Sequence, residues 1–276
     1  MPEDHALNTS HALVTGASSG IGAAFADRLA RHGHNLILVA RRRERLHDLA
    51  ERLQSRHPIA IETVVADLSD PASLVALERT ISRQRSLDIL VNNAGFAAGT
   101  AITATDVMVL EAMMRVHIVA LARLTRAALP GMMTRRRGTI INLSSIGAFR
   151  TVPEAVWNMY NATKAFVNSF TQGLSQEVRG TGIQVQALCP TLVRTEIFEQ
   201  AGLAATPDAV TLAPEAVVDA SLAALRLQEV ICIPTLDDPS LLTALTELQE
   251  SIVARSISTN QVAARYTATA ETTSRP

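Results

Sequence analysis

The sequence is poor in several features that mark particular classes of protein. It has two cysteines in 276 residues, Cys189 and Cys232, too few for a disulfide framework and without the spacing of a metal site. Only 18% of its residues are charged and the formal net charge is -1, which argues against nucleic acid or an anionic membrane as the main partner. No uncharged apolar run reaches the roughly 18 residues that a membrane helix needs, and residues 1–10 lack the apolar segment of a secretory signal. We therefore expect a soluble cytoplasmic protein without a metal.

Apolar residues are plentiful, at 47% of the chain. Short apolar runs alternate with longer amphipathic stretches, a pattern that predicts parallel strands joined by right-handed helical crossovers and covered on both faces. We predict one α/β domain over residues 1–266, with a Rossmann-like, doubly wound parallel sheet of about seven strands, and a disordered tail over 267–276. The predicted strands are His11–Thr15, Asn35–Ala40, Ala60–Ala66, Leu87–Val91, Gly138–Leu143, Ile183–Leu188 and Val230–Ile233.

The amphipathic stretches predict the helices between these strands. One begins at Asp70 with Pro71 in its first turn, and the longest has a bend expected before Pro130. A helix over residues 241–257 is additional to the minimal fold. The other predicted helices are Ala23–His32, Glu44–Arg56, Asp106–Met133, Asn158–Val178 and Pro214–Leu225.

A glycine-rich turn with TGxxxGxG spacing joins the first strand to the first helix. Its glycines would let the backbone approach a pyrophosphate closely, and the helix N-terminus would supply free N–H groups and a partial positive charge. A purely structural turn is the alternative, which the strand–turn–helix context makes less favourable. The residues predicted to contact a dinucleotide here are Gly16, Ser18, Ser19, Gly20, Ile21 and Gly22.

The second predicted strand ends at Ala40 and continues into three arginines, Arg41 to Arg43. A fold that binds NAD usually places a carboxylate here for the ribose 2′-hydroxyl. Arginines next to a helix start oppose the helix dipole, and a 2′-phosphate would offset that cost through charge-assisted hydrogen bonds. We therefore predict that Arg41 and Arg42 bind the phosphate of NADP(H), with NAD(H) less favoured and a solvated basic face as the alternative.

Tyr160 and Lys164 are four residues apart on a predicted helix, so both side chains lie on one helix face. A nearby ammonium favours the phenolate and should lower the pKa of Tyr160 from about 10. Tyr160 would then act as general acid in carbonyl reduction, or as general base in alcohol oxidation. The pair follows Ser144 and Ser145, which stand at the end of the fifth strand.

These motifs together resemble the short-chain dehydrogenase/reductase family, over about Ala12 to Pro234, and especially its NADP-dependent bacterial members. The resemblance implies that Ser145 binds the substrate carbonyl, whereas Ser144 fits a capping role, and that Lys164 also holds the ribose of the nicotinamide. It places cofactor contacts after the third and fourth strands and in the Cys189–Thr195 stretch. The further residues to which the resemblance assigns cofactor contacts are Asp67, Leu68, Asn93, Ala94, Gly95, Pro190, Val193 and Thr195, besides Tyr160 and Lys164.

Two positions depart from the family pattern. Thr191 stands where members usually have a glycine, which puts the local backbone geometry in question. His117 stands where members usually have an asparagine that links the lysine to a water chain. His117 is therefore either a packed core residue or a polar relay that replaces the asparagine, since imidazole can both donate and accept hydrogen bonds.

The substrate is not identified by any motif. Ligands of such sheets bind beyond the carboxyl ends of the strands, where aromatic and apolar side chains suggest a pocket for a hydrophobic ketone, aldehyde or secondary alcohol, with residues 196–211 as a lid. The resemblance implies a homodimer or homotetramer. A catalytically idle NADP(H) sensor is the main alternative, and an epimerase or dehydratase of the same family is another. The side chains considered for the pocket are Phe96, Phe149, Trp157, Met159 and Phe198.

Overall fold

The computed structural model describes residues 10–150, 157–196 and 211–267. The strands are β1 His11–Thr15, β2 Asn35–Ala40, β3 Ile61–Val65, β4 Leu87–Asn92, β5 Gly138–Leu143, β6 Ile183–Leu188 and β7 Ile231–Cys232. Within the described residues they form one sheet in the order β3-β2-β1-β4-β5-β6-β7, and all neighbours are parallel. The predicted doubly wound parallel sheet is confirmed, and the ranges predicted for β1, β2, β5 and β6 agree residue for residue.

The helices follow the predicted ranges with shifts of a few residues at their ends. Asp70 caps the third of them by accepting a hydrogen bond from the Ser73 N–H at 2.8 Å, and Pro71 is its first residue, as favoured at a helix start. The helices are α1 Gly20–Arg31, α2 Arg43–Gln54, α3 Pro71–Arg83, α4 Val107–Met114, α5 Leu121–Arg135, α6 Asn158–Glu177, α7 Pro214–Arg226, α8 Ser240–Ile257 and α9 Ala264–Thr267.

Two buried clusters cover the two faces of the sheet. Successive strand residues point to opposite faces, so Ala12 and Val14 of β1 pack with residues of α1, α2 and α7. Leu13, between them, packs with residues of α3, α5 and α6. Because burying one large apolar side chain contributes about 1.5–3 kcal/mol, these two layers hold the carboxyl ends of the strands in fixed positions. Cys189 and Cys232 are free and buried within this core.

The long helix predicted over Asp106–Met133 is divided. A π-helical turn over Arg115–Ala120 separates α4 from α5, whereas Pro130 lies inside α5. The interruption therefore lies earlier than the bend expected before Pro130. Single π turns often occur at functional sites, and His117, which lies in this one, is buried.

Tertiary contacts divide the chain into two compact units between Thr235 and Leu236. The first contains the sheet and α1 to α7, and the second contains α8 and α9. The predicted C-terminal helix over 241–257 is thus confirmed, while a single domain over 1–266 stays a prediction. The tail predicted over 267–276 lies, from residue 268 onward, outside the described residues. Of the helices that the structure describes, none is long and apolar enough to cross a membrane.

Candidate active site

The turn after β1 has the backbone geometry that the glycine spacing predicted. Gly16 and Gly20 have φ angles of +65° and +55°, in the left-handed region that favours glycine. A Cβ on Gly22 would lie 2.3 Å from the Gly16 carbonyl oxygen, so this position excludes any side chain. Ser19 precedes α1 and makes no side-chain capping bond, which leaves the helix N-terminus available to an anion.

Thr15 and Asn93 fasten this turn to the end of β4. The Thr15 hydroxyl accepts hydrogen bonds from the N–H groups of Asn93 and Ala94 at 2.9 and 3.0 Å. The Asn93 side-chain amide donates to the carbonyl oxygens of Thr15 and Gly16 at 2.9 and 3.2 Å. Thr15 was not among the predicted site residues, and the only sequence signal for it is its place directly before Gly16.

A cleft of about 460 Å³ opens beside the turn, at the carboxyl ends of β1 to β4. It lies where the strand order reverses between β1 and β4, the place where such sheets bind ligands. Asp67 shapes one wall by accepting hydrogen bonds from the N–H and hydroxyl groups of Ser69 at 2.9 and 2.7 Å. The predicted cofactor-binding residues that line the cleft are Gly16, Ser18, Ser19, Arg41, Arg42, Asp67, Leu68, Ala94 and Gly95.

The two predicted phosphate-binding arginines differ in their surroundings. Arg42 donates to the hydroxyl of Ser19 at 2.7 Å and to that of Ser18 at 3.2 Å. The Arg41 side chain is 65% exposed and only approaches Asp67, at 4.0 Å. Arg42 is therefore the better-ordered cation of the cleft. It also forms an ion pair with Glu196 at 2.6 Å, a contact that no sequence pattern indicated.

A second pocket, of about 210 Å³, adjoins the turn and contains the predicted catalytic Ser145 and Tyr160. Of the side chains considered for it, Trp157 lines this pocket, Phe96 lines the cleft instead, and Phe149 and Met159 line neither. Phe198 and the rest of the predicted lid, residues 197–210, lie outside the described residues. The predicted cofactor-binding residues that line this pocket are Ile21, Tyr160, Pro190, Val193 and Thr195.

Lys164 is 4% exposed and lines neither of these two cavities. Its ammonium donates to the Leu143 carbonyl oxygen at 2.7 Å and lies 5.5 Å from the centroid of the Tyr160 ring. Lys164 is also the only lysine in the sequence. The Ser144 hydroxyl donates to the backbone carbonyl of Lys164 at 3.0 Å. The capping role expected of Ser144 belongs instead to Ser145, whose hydroxyl accepts a hydrogen bond from the Gly147 N–H at 3.1 Å at the start of a short helical turn, and both serines line the pocket.

The ionisation of this pair differs from the sequence prediction. Burial raises the pKa of Tyr160 to about 12, and a hydrogen bond from Ser145 offsets only part of that increase. Burial lowers the pKa of Lys164 to about 8. The predicted lowering of the Tyr160 pKa by Lys164 is therefore wrong in direction for the chain as it stands, because desolvation of the phenolate is the larger effect. At neutral pH the phenol is protonated and the lysine is charged.

His117 connects the β4 loop to α6, the helix that carries Tyr160 and Lys164. Its Nε2 accepts a hydrogen bond from the Phe96 N–H at 3.1 Å, so the ring proton is at Nδ1, which donates to the Thr163 hydroxyl at 2.8 Å. That hydroxyl donates to the Tyr160 carbonyl oxygen at 2.8 Å. Burial and the charge of Lys164 hold the pKa of His117 well below its usual value, so the imidazole is neutral.

The same imidazole packs edge-on against the Tyr160 ring, with centroids 5.8 Å apart and planes at 78°. A Cβ on Gly95 would lie 2.8 Å from its Nε2, so the histidine also requires glycine at that position. A cavity of about 10 Å³, the size of one water molecule, lies between His117 and Lys164. His117 is thus part of the site, and its role as a relay stays a prediction.

Thr191 keeps an ordinary backbone conformation despite replacing the family's glycine. The non-glycine residues with positive φ in the described chain are Arg136 and Gln228, so the geometry at Thr191 does not need a glycine. The adjacent Pro190 carbonyl accepts a hydrogen bond from the Ile146 N–H at 2.9 Å.

The described residues contain no group of three or more His, Cys, Asp or Glu side chains that could hold a metal ion.

Comparison with known proteins agrees with this geometry. The sequence model of the family described as short chain dehydrogenase matches residues 10–205. An uncharacterized oxidoreductase of Staphylococcus saprophyticus is 38% identical over 192 residues, which cover 69% of this chain and 81% of the relative. A very-long-chain 3-oxoacyl-CoA reductase-like protein of Arabidopsis thaliana is 34% identical over 221 residues, which cover 79% of this chain and 70% of the relative.

Two solved structures resemble the whole fold. A short-chain dehydrogenase of Sphingobium yanoikuyae, in complex with NADPH, superposes with a TM-score of 0.88 at 37% identity, covering 93% of this chain and 99% of that one. The bulky-bulky ketone specific alcohol dehydrogenase of Comamonas testosteroni gives 0.85 at 32% identity, covering 93% and 98%. The fold and the site define a dinucleotide-binding oxidoreductase. The chain belongs to the short-chain dehydrogenase family.

Proposed function

We propose that this enzyme reduces a carbonyl compound, or oxidises the corresponding secondary alcohol, with NADP(H), and that Tyr160 is its general acid and base. The observation that carries the proposal is the position of Tyr160. It shares a pocket with Ser145, adjoins the glycine turn and lies beside the buried ammonium of Lys164. These are the groups that proton transfer to a carbonyl oxygen needs next to a hydride carrier.

The cleft fits a dinucleotide. The left-handed Gly16 and Gly20 give the tight turn that a pyrophosphate-binding loop requires. The lack of a side chain at Gly22 lets the start of α1 pack closely against that turn. The uncapped N-terminus of α1 supplies N–H groups to the phosphates. When bound there, the nicotinamide supplies or accepts the hydride. Lys164 would hold the adjacent ribose. Its ammonium has three N–H donors, one of which binds the Leu143 carbonyl, and the ribose hydroxyls would accept from the others.

The protein side chains would transfer the proton to the substrate oxygen and stabilise the charges that result. Tyr160 holds its proton at neutral pH because burial raises its pKa to about 12, so it can donate to a carbonyl oxygen as negative charge develops there. The Ser145 hydroxyl donates a second hydrogen bond to the same oxygen. The charge of Lys164 stabilises the phenolate that remains, and for alcohol oxidation the same groups act in reverse.

NADP(H) is favoured over NAD(H) by the cations at the end of β2. Arg42 is held by two serine hydroxyls at the wall of the cleft. Arg41 and Arg42 stand at the positions where an NAD site typically has a carboxylate. The relative from Sphingobium yanoikuyae, which is in complex with NADPH, gives independent support.

The substrate class we propose is a ketone or aldehyde with apolar substituents. Leu143, Ile146, Trp157, Leu192 and Val193 line the pocket around Ser145 and Tyr160. The relative from Comamonas testosteroni is described as a bulky-bulky ketone specific alcohol dehydrogenase. A homodimer or homotetramer remains a prediction, which light scattering of the purified chain would test.

The test is oxidation of NADPH, followed by its absorbance, with a panel of carbonyl compounds graded in size and polarity. We expect turnover with apolar ketones or aldehydes, and a higher kcat/KM with NADPH than with NADH. Binding of NADPH without turnover on any member of the panel would instead favour the idle sensor.

A further inference from the structure

The arginines next to the glycine turn already hold an anion of the chain itself. One carboxylate oxygen of Glu196 lies 2.6 Å from Nη1 of Arg42, and the other contacts Nη1 of Arg45. Glu196 is far from both in sequence, 154 positions from Arg42 and 151 from Arg45. The two arginines lower the pKa of Glu196, so the carboxylate is ionised at neutral pH.

This carboxylate occupies the position of a ligand on Arg42. Nε and Nη2 of Arg42 are directed to the hydroxyls of Ser18 and Ser19, in the wall of the cleft. Nη1, to which Glu196 is bound, is therefore the nitrogen for which an incoming phosphate and this carboxylate would compete. Carboxylate and phosphate oxygens are bound by guanidinium groups in the same way, through charge-assisted hydrogen bonds.

We propose that Glu196 is an internal substitute for the 2′-phosphate, and that NADP(H) must displace it from Arg42 and Arg45 in order to bind. The inference rests on the proposed preference for NADP(H). A 2′-phosphate carries up to two negative charges, and placing it beside an ionised carboxylate on the same guanidinium is unfavourable. NAD(H) has no such group and leaves Glu196 in place. Glu196 therefore lowers the selectivity that the arginines would otherwise give.

The backbone permits this displacement. Val193 and Leu212 form a parallel bridge, and the N–H groups of Arg194 and Leu212 donate to the Leu212 and Leu192 carbonyls at 2.9 Å each. This pairing ends at Arg194, two residues before Glu196. The side chain of Glu196 can therefore leave the arginines without breaking the pairing that fixes Val193 and Leu192 at the substrate pocket.

The test is calorimetric titration of the full chain with two pairs of ligands. Adenosine 2′,5′-bisphosphate is compared with 5′-AMP, and NADPH with NADH, for the wild type and for Glu196→Gln, which keeps the shape of the side chain and removes its charge. We expect the variant to bind the two 2′-phosphorylated ligands about three- to tenfold more tightly, because a competing ion pair of ordinary strength is removed. Its dissociation constants for 5′-AMP and NADH should stay within about twofold.

Glu44→Gln is the matched control. Glu44 is in the first turn of α2, between Arg42 and Arg45, and forms no ion pair among the described residues. The Glu44→Gln substitution removes the same charge from the same region. We expect it to change the dissociation constants of all four ligands by less than Glu196→Gln changes those of NADPH and adenosine 2′,5′-bisphosphate.

Three outcomes would overturn the inference. They are unchanged or weaker binding of both phosphorylated ligands by Glu196→Gln, an equal gain for the ligands without a 2′-phosphate, and an equal gain from Glu44→Gln. If the wild type and Glu196→Gln both bind adenosine 2′,5′-bisphosphate no better than 5′-AMP, the arginines do not read the 2′-phosphate, and the proposed cofactor preference fails with the inference. A wild type that prefers the phosphorylated ligands, with an unchanged Glu196→Gln, leaves the preference intact and refutes only the role of Glu196.

Discussion

The ammonium of Lys164 lies 5.5 Å from the centre of the Tyr160 ring, one turn away on α6. The two pKa values move in opposite directions from their usual values, to about 8 for Lys164 and about 12 for Tyr160, chiefly because both groups are buried. On raising the pH, the lysine therefore loses its charge well before the tyrosine loses its proton.

Carbonyl reduction should depend on pH through Lys164. Its pKa is lowered to about 8, so its charge is present below that value and is lost above it, while Tyr160 remains protonated. Without the charge, the phenolate left after proton donation is less stable, so kcat should be level near pH 7 and fall above about pH 8. A pH–rate profile at saturating cofactor checks this, with Lys164→Arg as a variant that keeps its charge at high pH. A wild-type profile that stays level to pH 10 would contradict the assignment.

Tyr160→Phe should reduce kcat by about 100-fold or more, the size of a general acid contribution. Only the hydroxyl is lost, since phenylalanine keeps the ring contacts with His117 and Trp157. Cofactor dissociation constants should stay within a few-fold, and the Tm should change little. The control is Tyr266→Phe, which alters the only other tyrosine, 65% exposed in α9. Wild-type turnover by Tyr160→Phe would remove the proposed mechanism.

His117→Leu should be impaired more than His117→Asn. Leucine leaves the partly buried Phe96 N–H without its acceptor and the buried Thr163 hydroxyl without its donor, at a cost of up to about 1–3 kcal/mol for each unsatisfied group. Asparagine is the usual family residue and should retain most activity. Tm and kcat measured across pH separate stability from catalysis, and Thr163→Val tests the link to α6 with the imidazole intact. Full activity of His117→Leu at every pH would show that His117 is only a core residue.

Arg42 should contribute more than Arg41 to the preference for NADPH. Arg42 is fixed by Ser18 and Ser19, whereas the side chain of Arg41 is largely exposed. Each charge-assisted hydrogen bond is worth about 1.5–3 kcal/mol, so Arg42→Ala should weaken NADPH binding by roughly 10- to 100-fold and leave NADH binding nearly unchanged.

Arg41→Ala should have a smaller effect, and Arg41→Asp should weaken NADPH while sparing or improving NADH. The neighbouring Arg43→Ala is the control for net charge at fixed ionic strength, because screening reduces every exposed contribution. Equal affinity of the wild type for NADH and NADPH would show that these arginines form a solvated basic face and do not bind the 2′-phosphate.

The strands and the site residues near them could be predicted because their signals are local. β1 and β2 are apolar runs bounded by polar or glycine residues, and Gly16 to Gly22 and Tyr160 with Lys164 are short motifs at fixed spacing. The contact of Glu196 with Arg42 and Arg45 could not be predicted, since it joins residues distant in sequence.

The extent of burial of the site residues also could not be predicted from the sequence. The upward pKa shift of Tyr160 depends on how much protein surrounds the phenol, which the YxxxK spacing does not reveal. The π-helical turn at Arg115–Ala120 likewise has no pattern of its own. It accompanies the packing of His117 against Gly95 and Tyr160, and that packing exists only once β4 and α6 are assembled.

The single lysine of the sequence makes the chemistry of this site directly observable. Every other basic side chain apart from histidine is an arginine, so reagents selective for amines can react only with Lys164 and the N-terminal amino group. Reductive methylation with isotopically labelled formaldehyde would place one labelled side chain beside Tyr160, giving an NMR resonance that can be followed through a titration. The protonation state of the Lys164 ammonium could thus be read from one of two labelled resonances, the other being that of the N-terminal amino group, in the free protein and with each nucleotide.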